Sequence, residues 1–155
     1  MNEALTIWQK ERKEIISQRD RNREQFWCAL QWLELLEDGT DLCSYFREHN
    51  SSRIAIYGAA EIGRVLRKEV ERDNVLQVLY FLDRNAEKQR EKWGVPVYLP
   101  EEFAALPDVD MVVVTAIASF ESIWSNLMRI RPEIPAVSLK TIIEVRKDEV
   151  WYEQR

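Results

Sequence analysis

Residues 53–63 read Arg53-Ile-Ala-Ile-Tyr-Gly-Ala-Ala-Glu-Ile-Gly63, and a later apolar run closes as Tyr80-Phe-Leu-Asp83. The first run has the continuous apolar character of a strand buried on both faces. Gly58 ends it, and a helix is expected from Glu61 to about Arg72. A strand that turns through glycine directly into a helix narrows the possible folds sharply. It calls for parallel neighbours, joined by crossovers, with helices covering the sheet.

The remainder of the chain meets that demand. Val75–Leu82 reads as a second buried strand, followed by a polar, charged loop over 83–93. Val95–Tyr98 is a short strand whose Pro96 belongs at a sheet edge. Pro100–Leu106 reads as a short helix with proline in its first turn. Met111–Thr115 is the fourth strand, and Ser119 is placed to cap a helix running to about Ile130. Ala136–Leu139 makes the last strand, and a terminal helix starts at Thr141 and reaches about Val145. Right-handed crossovers give these five strands the order 3-2-1-4-5, with the switch point between the strands ending at Tyr57 and Thr115. The fold class is α/β: a three-layer parallel sheet preceded by an N-terminal helical arm.

That arm occupies residues 1–50, and the sheet domain residues 51–155. The stretch from Ala4 to about Gln25 is charged, with sparse apolar positions at Leu5, Trp8, Ile15 and Ile16. From Phe26 the pattern thickens through Trp27, Leu30, Leu33 and Leu36, until Asp38-Gly39-Thr40 stops the helix with Gly39 in the left-handed closing position. Asp41 is suited to cap a second, short helix over Leu42–Glu48.

Composition removes several functions. A net charge of -5 argues against binding a phosphate backbone, so nucleic acid is not an expected partner. The charged N-terminus does not read as a secretion signal, and no apolar run approaches the roughly 20 residues of a membrane span. Cys28 and Cys43 lack metal-ligand spacing and read as packed thiols in a reducing cytoplasm. No metal is expected.

Chemistry concentrates at the glycine turn. The strand–turn–helix followed by an acidic strand end is the form of a Rossmann nucleotide-binding unit. In that fingerprint the first glycine makes the turn, the second lets the backbone touch a pyrophosphate, and the third lets helix and strand pack closely. Gly58 and Gly63 fill the first and third roles. Ala60 stands at the second and adds a methyl group where phosphate oxygens would approach. Glu61 lies in the first helical turn, where its carboxylate meets the positive end of the helix dipole and competes with an anionic ligand. Asp83, about 20 residues beyond Gly63, either accepts a ribose hydroxyl or caps the turn through Arg84-Asn85. Arg84 is positioned to neutralise a phosphate or stack on a base. Thr115-Ala116-Ile-Ala-Ser119 either leaves room for a ligand at the switch point or is only a tight connection.

Outside the turn, catalytic signals are weak. The single histidine, His49, sits in a linker away from the expected crevice. Tyr57 reads as sheet packing, and Lys68, Lys88 and Lys92 as solvated charges. Trp8, Trp27 and Trp32 make the arm unusually aromatic, suited either to docking on the sheet domain or to a homo-oligomer formed through the N-terminal helices.

The segment Trp32–Val145 resembles the small Rossmann-like domains encoded in bacterial surface-polysaccharide gene clusters. These domains are similar to the nucleotide- or sugar-nucleotide-binding domains of epimerases, sugar acyltransferases and glycosyltransferases. The resemblance is carried by Asp41-Leu-Cys-Ser-Tyr-Phe46, Ile54–Gly63, Phe81-Leu-Asp-Arg-Asn85, Gly94-Val-Pro-Val-Tyr98 and Asp110-Met-Val-Val-Val-Thr115. It departs at Ala60, where family members carry glycine. The resemblance implies a ligand cleft lined by Gly58, Ala59, Ala60, Glu61, Ile62, Gly63, Asp83 and Thr115, beside which the residue reading places Arg84 and Ala116. It implies NAD(P) or a nucleotide-sugar as ligand, recognised by this domain while a partner does the chemistry. With the sequence ending at Arg155, that partner, a polysaccharide-biosynthesis enzyme, is expected on another polypeptide. The preferred function is therefore a non-catalytic nucleotide-binding module. One alternative is a small NAD(P)-dependent oxidoreductase or sugar-nucleotide epimerase-like enzyme completed by an oligomer or partner. The other is an interaction scaffold with an empty cleft.

Overall fold

The computed structural model describes residues 2–87 and 90–154; Lys88 falls outside them. The chain opens with α1 (Asn2–Glu37), a single helix of 36 residues. Gly39 ends it at φ +75°, and the Thr40 amide returns to the Leu35 carbonyl at 2.9 Å. The Asp41 carboxylate accepts the Cys43 amide at 2.9 Å, fixing the entry to α2 (Cys43–Glu48).

From there strands and helices alternate: β1 (Arg53–Tyr57), α3 (Glu61–Val70), β2 (Gln77–Leu82), β3 (Glu91–Lys92) and β4 (Val95–Tyr98). A 3-10 turn at Pro100–Ala105 leads to β5 (Met111–Val114), and another at Ile117–Ser119 to α4 (Phe120–Ile130). The chain closes with β6 (Ala136–Ser138) and α5 (Leu139–Glu153). The sheet order is β3-β4-β2-β1-β5-β6. Its five parallel members follow the order expected from the sequence, with β1 flanked by β2 and β5.

Several local readings need correction. Asp83–Trp93 is not all loop: Glu91 and Lys92 pair antiparallel with β4, and Glu91 lies opposite Pro96. Pro96 therefore sits on the last parallel strand beside a two-residue edge. The short helix at Pro100 is 3-10, with the Glu102 carboxylate accepting the Leu99 amide at 2.7 Å. Ser119 does not cap α4 with its side chain. Leu139 is the first residue of α5 rather than the last of a strand, because the Ser138 hydroxyl accepts the Lys140 amide and starts the helix there.

The sheet separates two apolar layers. Ile54, Ile56, Phe81 and Val113 face α1, α2, α3 and α5, whereas Tyr57, Leu82, Val112 and Val114 face α4 and the first 3-10 turn. An irregularity in β2 skips Leu79 in the pairing with β1. Phe81 thereby returns to the same layer as Val78.

The arm is tied to this core at one buried acid. Glu69 on α3 is 3% exposed. Its carboxylate accepts the indole N–H of Trp32 on α1 and, at 2.7 Å, the amide of Leu42 before α2. Cys43 donates its thiol to the Glu69 carbonyl at 3.4 Å. Burial raises the Cys28 thiol to about 11 and the Cys43 thiol to about 12, so both are held as neutral packing groups.

Candidate functional site

Local sterics explain why the β1–α3 turn needs its two glycines. Gly58 adopts φ +116°, and a Cβ there would stand 2.2 Å from Thr115 Oγ1. A Cβ on Gly63 would meet the Gly58 carbonyl oxygen at 2.1 Å. The first fixes the turn against β5; the second lets α3 lie directly on it. The Gly58 amide donates to the Leu82 carbonyl at 2.8 Å, so the turn is also pinned to β2. On the other side, the Thr115 amide and hydroxyl both donate to the Tyr57 carbonyl at 3.0 Å. Thr115 is buried behind the turn, where its hydroxyl acts as a clamp.

In front of the turn lies a cavity of about 140 Å³ lined by Ala59, Ala60, Asp83, Asn85, Lys92 and Val97. Asp83 supplies two of its contacts. One carboxylate oxygen accepts the Ala59 amide at 2.8 Å and the other the Asn85 amide at 2.8 Å. The carboxylate thus both caps its own turn and staples β2 to the glycine loop. Lys92 also lines the cavity, its ammonium donating to the Ala59 carbonyl at 2.6 Å.

Ala60 begins α3 without a side-chain cap. The first amides of a helix point outward along its axis, which leaves them available to an incoming acceptor. Glu61 does not fold over them: its carboxylate pairs with Arg64 at 2.9 Å on the exposed flank of the helix. The competition expected between Glu61 and an anionic ligand is therefore reduced by Arg64. Ile62 packs against the core.

The sequence-derived residues divide into groups. Ala59, Ala60 and Asp83 line the cavity, while Gly58, Gly63 and Thr115 shape it from behind. Arg84 is directed to the Tyr57 phenol, whose acidity is weakened by burial and partly restored by that guanidinium. Ala116 borders a separate hollow of about 130 Å³ between the loop after β5 and Gln18, Arg21, Asn22 and Gln25 of α1.

Lys92 is the residue that sequence reasoning missed. It lies just before Trp93 and Gly94, both at positive φ, +52° and +76°. Two such residues in succession form the mirror-type hairpin turn between β3 and β4. The Trp93 ring packs edge-on against Phe81 with 5.7 Å between centroids, and the Lys92 ammonium lies 5.1 Å over the Trp93 ring. The available signal was a glycine two residues after Lys92, directly before the Val-Pro-Val strand.

Among the described residues, no group of three or more His, Cys, Asp or Glu side chains is placed to hold a metal ion. No described helix is long and apolar enough to cross a membrane. No protein-family model matches the chain, and no curated protein matches it.

Solved structures do match. UDP-D-quinovosamine 4-dehydrogenase from Vibrio fischeri is 17% identical over 57% of this chain and 77% of its own, with a TM-score of 0.50. A myo-inositol dehydrogenase from Corynebacterium glutamicum ATCC 13032 is 21% identical over 62% of this chain and 34% of its own, with a TM-score of 0.43. RSP, a Rex-family repressor, is 9% identical over 88% and 95%, with a TM-score of 0.47. The first of these likenesses, together with the strand order, shows that the chain has a Rossmann-like α/β fold.

Proposed function

We propose that the chain is a non-catalytic nucleotide-binding module. Its crevice at Ala59–Ala60, Asp83 and Lys92 receives the phosphate and ribose of a nucleotide-sugar or of NAD(P). One observation carries this reading: a lysine ammonium and the uncapped start of α3 flank the same small cavity at a Rossmann strand end. A cavity of about 140 Å³ is far below the ~300–1,000 Å³ of pockets that enclose a whole ligand. It suits a phosphoribosyl-sized group, with the base and sugar lying across open surface. The methyl of Ala60 lengthens the approach to the loop, and Lys92 compensates with charge on the cavity wall.

Support for binding rather than catalysis comes from the same contacts. Asp83 and Lys92, the titratable groups on the cavity wall among the described residues, both bond to Ala59 backbone. The solved dehydrogenase sharing this fold is named for a UDP-sugar, the ligand class proposed here. The association with surface-polysaccharide synthesis, and with an enzyme of that process as partner, rests on the resemblance of the motif series.

Melting midpoints measured with NAD(H), NADP(H), nucleoside diphosphates and UDP-sugars test the reading. At least one nucleotide should raise the midpoint by several degrees at millimolar concentration. Lys92→Ala should weaken that ligand about tenfold, the equivalent of ~1.4 kcal/mol. Ala60→Gly should tighten it several-fold, since the backbone then reaches the phosphate. If no nucleotide moves the midpoint, the empty-scaffold reading replaces this one. Sustained turnover of reduced nicotinamide with a nucleotide-sugar, abolished in a folded Asp83→Ala variant, would favour the enzyme instead.

A further inference from the structure

Six of the nine exposed large apolar residues of α1 fall on one line, with Ile7, Ile16 and Trp27 beside it. Leu5, Trp8, Ile15, Phe26, Leu33 and Leu36 are all exposed, Phe26 to 64% and Leu33 to 56%. They fall at alternating three- and four-residue steps, completed by Arg12, Arg19, Asn22 and Ala29. That is a single seam of 3.5-residue period along the whole helix. Cys28, Trp32 and Leu35, which enter the core, each directly precede a seam position, about 100° around the same helix. The seam therefore flanks the buried face of the helix, and its Asn22 borders the hollow beside the loop after β5.

We propose that this seam is the docking surface for a second copy of the chain, with two α1 helices pairing antiparallel as a two-stranded coiled coil. Antiparallel pairing centred between residues 20 and 21 brings Leu5 onto Leu36, Trp8 onto Leu33 and Ile15 onto Phe26 of the second copy. The remaining layers join Arg12 to Ala29 and Arg19 to Asn22. Every large apolar residue of the seam meets another, and each arginine meets a small or neutral residue. Parallel pairing would instead set Arg12 against Arg12 and Arg19 against Arg19.

Charge along the helix favours the same orientation. The six basic residues of α1 all lie between Lys10 and Arg23, whereas its segment 24–37 holds Glu24, Glu34 and Glu37 and no basic residue. Antiparallel pairing lays Lys10–Lys13 opposite Cys28–Gln31 of the second copy, between its Glu24 and Glu34, instead of against another basic segment. Over the whole helix six basic residues are matched by seven acidic ones, so α1 carries no net positive charge to draw it to an anionic membrane surface. A helix of 36 residues is about 54 Å long and ~10 Å across. With interdigitation its footprint approaches the ~800 Å² per side of a standard interface.

The test uses the full chain. Light scattering at tens of micromolar should give twice the chain mass of 18.4 kDa. Phe26→Glu or Ile15→Glu should return it to 18.4 kDa with an unchanged circular dichroism spectrum of the sheet domain, while Lys13→Glu, off the seam, should not. Arg12→Cys combined with Ala29→Cys should cross-link to a dimer under mild oxidation, and Arg12→Cys alone should not. A monomeric wild type, a dimer indifferent to Phe26→Glu and Ile15→Glu, or cross-linking by Arg12→Cys alone would each overturn the proposal. So would flotation of the monomer with phosphatidylcholine–phosphatidylglycerol vesicles.

Discussion

At the scale of single residues, Glu69 shows how one carboxylate holds three elements together. Replacing it with alanine leaves the Trp32 indole N–H and the Leu42 amide without their acceptor inside the protein. Loss of about 2–4 kcal/mol of stability is expected, readable as a lower urea midpoint. The group also sets a pH dependence. Burial, opposed by the bonds from Leu42 and Trp32, raises its carboxyl above the ordinary 4.5. Between 4.5 and the raised value the folded chain binds more protons than the unfolded one. Its contribution is therefore full below 4.5 and is lost as pH rises through the folded value. Asp110 behaves in the opposite sense. The hydrogen bond donated by the Arg53 backbone amide leads the effects that hold its carboxyl below 3.8, so its contribution is present above 3.8 and lost as pH falls through the folded value. Melting curves of wild type and Glu69→Gln from pH 4.5 upward should differ in slope, the variant lacking the decline assigned to Glu69. Equal slopes would count against the buried carboxylate as its source.

At the scale of elements, the turn and the hairpin around the cavity differ in how they can fail. Gly63→Ala forces a Cβ toward a backbone oxygen at 2.1 Å, with no flexible side chain to move aside. It should separate α3 from β1 and cost several kcal/mol of global stability, measured by denaturant unfolding. Gly94→Ala meets open space, but at φ +76°. It should cost about 1 kcal/mol, chiefly as faster amide hydrogen exchange across the β3–β4 hairpin. This contrast also marks what the sequence could reveal. Ile54–Gly63 was legible because strand period, turn glycine and helix period change within a few residues. β3 was not, because two charged residues carry no periodicity and pair only once Trp93-Gly94 has reversed the chain. The placement of Lys92 depends on that reversal. So does the choice of Trp32 over Trp8 and Trp27 for burial, which depends on where Glu69 lies in three dimensions.

At the scale of the whole molecule, the division proposed between residues 1–50 and 51–155 runs through a shared apolar layer. Trp32, Leu35, Leu42 and Phe46 are buried in the same cluster as Ile54, Ile56 and Phe81. Expressed alone, 51–155 should lose cooperative unfolding, whereas removal of residues 2–16 should leave the melting midpoint of the sheet domain within a few degrees. Cooperative melting of 51–155 would establish the arm as separable. The molecule also carries its own optical probe. Among six tryptophans, Trp93 has an ammonium poised over its ring, and that same ammonium borders the proposed phosphate position. A phosphate that draws Lys92 off the Ala59 carbonyl also moves a positive charge relative to the indole. The colour of Trp93 emission should then follow occupancy of the crevice without any added label.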